Sequence, residues 1–284
     1  MILFTNGCSH TAGVCVLPPL TWPWMLTRSL IDEEWKTPIN EIENNPQDYI
    51  SKDENQLIDY SDHGKSNDLI YYETLHFLLS LQKKGLKPDF VVIQWSGVNR
   101  RVHSIPGGSG VNYGLINVNP HDNAEFGPWF EPYASKHTLQ LMLHLQMYLK
   151  SNDIKYAFIP YMEVDKRNKF LVELDFLDET KCTTSPLIGH RNEFRRKGLS
   201  GDTHGHPNLL ANYLLTSEVM EILDCGEVKG LSFFTNGKTS LKNEIIKRQY
   251  ERKFIKDKID DINEGENEDS YFWSNALKKY KSLI

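Results

Sequence analysis

Nucleophilic acyl transfer needs a hydroxyl, a base, an acid to orient the base, and donors for the oxyanion. Four short clusters of this chain carry those groups. They are Gly7-Cys8-Ser9-His10-Thr11, Gly64-Lys65-Ser66-Asn67, Ser96-Gly97-Val98-Asn99-Arg100, and Asp202-Thr203-His204-Gly205-His206-Pro207-Asn208. A serine hydroxyl is a weak nucleophile without an adjacent base. Histidine fills that role because its ordinary pKa lies near neutrality. An acid fixes the useful tautomer of the imidazole and stabilises the imidazolium. A backbone N–H at a glycine and a side-chain amide can both receive the negative charge of a tetrahedral intermediate.

Clusters so far apart in the chain can cooperate only if the fold gathers them, and the hydrophobic pattern describes a fold that does. Ile2–Phe4 reads as a strand and Trp22–Leu30 as a helix. Leu57–Tyr60 reads as a short second strand. A helix follows, capped by Ser66 or Asn67, with Leu69, Ile70, Leu75, Leu78, Leu79 and Leu81 as its apolar face. Gly85 and Pro88 end it. Phe90–Trp95 is an almost unbroken β-branched and aromatic run, the pattern of a strand buried on both faces. Ile105–Tyr133, rich in Gly, Pro and Asn, reads as a long loop. A helix is expected over Ser135–Lys150, a strand over Tyr156–Pro160, and a last core helix over Asn208–Asp224, ended by Cys225-Gly226.

This alternation implies βαβ crossovers, and so an α/β fold: a three-layer α/β/α sandwich around a parallel sheet, flavodoxin-like in type. In such sheets ligands bind beyond the carboxyl ends of the strands. Each cluster follows a strand or precedes the last core helix, so all four should meet at one edge.

The spelling of the clusters resembles the SGNH (GDSL-like) hydrolase superfamily, which is named for one residue in each of four blocks. Ser9, Gly64, Asn99 and His206 match those blocks, in order, over about residues 1–225. The resemblance implies a serine hydrolase of small carboxylic esters that needs no cofactor and no metal. An O-acetyl group on a carbohydrate is the expected substrate. Ser9, His206 and Asp202 would be catalytic, and Ser9, Gly64 and Asn99 would form the oxyanion hole. Arg100, Trp129 and His204 are candidate substrate contacts. Two departures stand out. Cys8 replaces the aspartate that usually precedes the serine. The acid usually lies three residues before the histidine, whereas position 203 is Thr and Asp202 lies four before His206. The alternative is a catalytically inactive module of this fold that serves as a structural or binding component, for instance of a phage particle.

Taken singly, each residue has a plainer use. Ser9 suits a helix N-cap, Gly64 a positive φ, and Asn99 an Asx-turn. His204 and His206, with His190 and Asp202, fit no standard structural zinc spacing. Trp22, Trp24 and Trp95 read as core.

The rest of the chain sets bounds. It has 284 residues, 39% of them hydrophobic and 11% aromatic, enough to bury a substantial core. A net charge of −6 argues against a general nucleic-acid partner. No apolar run has the length of a membrane span. The N-terminus lacks the basic and apolar regions of a signal peptide, so a cytoplasmic protein with reduced thiols is expected, with carriage on a virion left open. Residues 1–230 should form the α/β domain, interrupted by an acidic excursion at 31–62. Residues 231–284 should form a helical extension, whose basic helix at Lys242–Lys258 is a candidate contact for a protein partner.

Overall fold

In this computed structural model the described residues are 1–13, 16, 21–31, 39–40, 55–98, 100–104, 113–117, 127–160, 176–183, 206–207 and 209–228. Of the acidic excursion they include 31, 39–40 and 55–62, and the C-terminal extension from 231 lies outside them.

The central strand is β1 (Ile2–Asn6), buried along its whole length. It pairs in parallel with β3 (Gln56–Asp59) on one side and β4 (Phe90–Gln94) on the other. The two-residue β2 (Ile39–Asn40) extends the sheet beyond β3. On the other flank β7 (Lys155–Ile159) pairs in parallel with β4. The order is therefore β2-β3-β1-β4-β7. Without β2, the four longer strands follow the 2-1-3-4 order of a flavodoxin-like sheet. The fifth position is marked by a single parallel bridge from Phe158 to Cys182.

Alternation along β1 divides the core. Leu3 faces the side covered by α2 (Trp22–Leu30) and α5 (Leu209–Leu223), where it packs with Trp22, Leu26, Val92, Leu215 and Val219. Ile2 and Phe4 face α3 (Asn67–Lys83) and α4 (Gly127–Ser151), packing with Ile70, Phe77, Leu81, Leu145 and Phe158. Phe4 and Phe77 stack with centroids 4.5 Å apart. Each such fully buried side chain contributes about 1.5–3 kcal/mol. Helices on both faces make the expected three layers. Trp22 and Trp95 are core, as read from the sequence.

Helix ends follow local chemistry. The Ser66 side chain caps α3 by accepting from the Leu69 amide at 3.3 Å. Gly85, at φ +66°, lets the chain leave α3 while the Leu86 amide returns to the Leu81 carbonyl.

The expected loop at Ile105–Tyr133 requires correction. Its approach and interior hold an antiparallel hairpin, β5 (Arg100–Ser104) with β6 (Tyr113–Asn117), and β5 lies against α3. The following helix starts at Gly127, ahead of the expected Ser135. Among the described residues, Cys8, Cys182 and Cys225 are free thiols, and no helix is long and apolar enough to cross a membrane.

Candidate active site

The chain leaves β1 at Asn6, turns through Gly7 and Cys8, and enters a single helical turn, α1 (Ser9–Ala12). Asn6 pins this exit. Its side-chain amide donates to the Ile70 carbonyl at 3.2 Å and to Thr74 Oγ1 at 3.1 Å, both on α3, and its Oδ1 accepts from the Gly7 amide at 2.8 Å. Cys8 is extended, and its carbonyl accepts from the amides of Thr11 and Ala12. Ser9 is thereby fixed at the first position of α1, with only 6% of its surface exposed.

His206 meets it there. Its Nε2 lies 3.0 Å from Ser9 Oγ, across 197 residues of sequence. Two chain segments from opposite ends of the α/β unit thus converge at the carboxyl edge of β1. With the proton of His206 on Nδ1, Nε2 accepts from the Ser9 hydroxyl, the arrangement a serine nucleophile requires.

The fold is similar to that of solved esterases. One is an acetyl xylan esterase, 14% identical, with 78% of this chain and 98% of that one covered and a TM-score of 0.41. Another is a psychrotrophic esterase from Pseudoalteromonas sp., at 12% identity, 78% and 96% coverage and a TM-score of 0.41. A member of the lipolytic G-D-S-L family from Veillonella parvula gives 13%, 78% and 97%, with a TM-score of 0.38. No family model matches the sequence, and no curated protein matches it.

The second cluster is stitched to the first through the backbone. The Tyr60 amide donates to the Thr5 carbonyl at 2.9 Å, and the Asp62 amide to the Gly7 carbonyl at 3.2 Å. Gly64 follows at φ +75°, a conformation that favours glycine. Lys65, 3% exposed, anchors this loop: its ammonium donates to the Tyr60 carbonyl and pairs with Glu73 at 2.6 Å. Nearby, burial pushes the Asp59 carboxyl above its ordinary range, opposed by hydrogen bonds from Ser61 and Thr5 and by the charge of Lys65.

The third cluster is held by Asn67, in the first turn of α3. Its Oδ1 accepts from the Ser96 amide at 2.6 Å, and its Nδ2 donates to the Ser96 carbonyl at 3.0 Å and to Thr138 Oγ1 at 3.1 Å. This buried clamp joins the β4 exit to α3 and α4. Asn67→Ala removes the side chain that meets both Ser96 backbone groups. A loss of about 2–4 kcal/mol is expected. Thermal unfolding measures it, and an unchanged midpoint would show the clamp to be energetically idle.

Asn99, Asp202, His204 and His190 lie outside the described residues. Arg100 is the first residue of β5, and Trp129 is in the first turn of α4. Sequence reasoning missed Asn6, Gln94 and the clamp of Asn67. The available signal was an amide side chain at the end of each buried strand run, ILFTN and FVVIQ. A polar group there must find a partner, and the partners are the loops of the site.

Proposed function

We propose that the chain is a serine hydrolase of small carboxylic esters, with Ser9 as nucleophile and His206 as its base. The 3.0 Å contact between His206 Nε2 and Ser9 Oγ carries this reading. Oγ attacks the ester carbonyl carbon while Nε2 takes its proton. The tetrahedral intermediate collapses, the imidazolium returns the proton to the departing alcohol oxygen, and Ser9 is left acylated. Water, deprotonated by His206, then releases the acid and restores the hydroxyl. The backbone N–H groups of Ser9 and Gly64 and the amide of Asn99 receive the oxyanion, and Asp202 orients the ring of His206. Arg100, Trp129 and His204 are the proposed contacts for the alcohol part of the substrate.

A small acyl group, acetyl above all, suits a nucleophile that is nearly buried and crowded by two imidazole rings. A carbohydrate O-acetyl ester is the proposed substrate class, on the strength of the motif resemblance.

A fluorophosphonate probe tests the reading. The wild type should be labelled and Ser9→Ala should not. An unlabelled wild type, or equal labelling of the variant, overturns it and leaves an unreactive module of the same fold. Hydrolysis of acetylated sugars should then exceed that of long-chain aryl esters. Asn99→Ala should lower kcat about 10²–10³-fold while the protein stays folded; an unaltered kcat would remove Asn99 from the oxyanion hole.

A further inference from the structure

Immediately after the candidate nucleophile stands a buried imidazole that the mechanism above does not use. His10 is 6% exposed. Its ring centroid lies 5.0 Å from that of His206, with the planes tilted by 42°. A chain of side chains fixes its orientation. The Thr11 hydroxyl donates to Gln94 Oε1. Gln94 Nε2 donates to Cys8 Sγ at 3.4 Å, and Cys8 Sγ lies 3.4 Å from His10 Nδ1. The chain crosses from α1 to the end of β4 and back, so the ring of His10 is tied to the sheet rather than only to its own turn.

We infer that His10 is a positioning residue for His206: its flat ring, locked by Cys8 and Gln94, is the wall that holds the His206 imidazole in the plane from which Nε2 reaches Ser9 Oγ. The inference rests on the hydrolase reading above. It gives position 8, where the motif resemblance leads one to expect an aspartate, a different use, as a contact of His10. It also gives His206 a support independent of Asp202.

The test uses two substitutions that both fill the space. His10→Phe keeps a flat ring, whereas His10→Leu keeps bulk without one. Hydrolysis of p-nitrophenyl acetate is followed in the full chain, with thermal unfolding to verify that each variant is folded. His10→Leu should lower kcat on the order of 10- to 100-fold, the effect of a misaligned base. Its KM should change by less than about threefold, because substrate binding is untouched. His10→Phe, which keeps the flat ring but loses the Cys8 contact, should recover part of the kcat lost in His10→Leu, a rescue that a merely structural role would not tie to the ring. A His10→Leu as fast as the wild type overturns the inference, and so does a folded His10→Phe as slow as His10→Leu. Either result, with Ser9 still labelled by the fluorophosphonate, leaves the hydrolase reading standing. An unlabelled wild type takes both down together.

Discussion

Ser9→Ala and His206→Ala should each lower ester hydrolysis by about 10⁴–10⁶-fold, and the double variant should be no slower than the worse single one. The reason is geometric. Ser9 Oγ and His206 Nε2 share one hydrogen bond of 3.0 Å, so removing either end removes the same proton transfer. An unassisted hydroxyl attacks slowly, and an imidazole without a nucleophile has nothing to activate. Residual turnover would come from the oxyanion donors and from binding alone. The measurement is kcat/KM for an aryl acetate in all four proteins. Additive losses, with the double variant slower by the product of the single effects, would mean that the two residues act in separate steps. The pairing seen here would then not be the catalytic one.

The convergence behind this prediction was legible in the sequence because strand and helix patterns are local. ILF, FVVIQW and the run after Lys155 are buried on both faces, and their apolar continuity shows it. The Ser66 cap and the Gly85 exit follow rules of a few residues' range. From those elements the α/β alternation follows, and with it the edge where Ser9 and His206 meet. What failed was also local in cause. Gly107, Gly108 and Gly110 separate β5 from β6, and such glycines give the hairpin the look of a loop. Pro128 and Pro132 sit within the first two turns of α4, where the sequence announces a break. Tertiary clamps were invisible for a different reason. Asn67 looks like one more N-cap candidate, and only the arrival of Ser96 from another strand turns it into a tether. Gln94, inside a core run, finds its partners only once Cys8 and Thr11 are folded against it.

Gly7→Ala should damage both stability and rate. Gly7 lies where β1 hands the chain to the Ser9 turn, and the space beside its Cα is already filled. An added Cβ would overlap Thr11 Oγ1 and would lie 2.9 Å from Thr11 Cβ and 3.0 Å from Gln94 Cβ. None of these atoms is the end of a long, yielding side chain. Thr11 is bonded to Gln94, which in turn holds Cys8, so a shift to admit the methyl travels along the network that orients His10 and Ser9. Overpacking of this kind costs about 1–3 kcal/mol, a fall of roughly 2–12 °C in Tm for a domain this size. Displacing Ser9 by even a fraction of an ångström from His206 Nε2 should lower kcat by up to about 10²-fold. Thermal unfolding and aryl acetate hydrolysis of the same preparation read the two effects. Adding Thr11→Ala to Gly7→Ala removes the hydroxyl in the way and should restore part of the lost Tm. If Gly7→Ala matched the wild type in both measurements, the turn would be able to give way without moving its serine, and close packing around Gly7 would not be what aims the hydroxyl at His206.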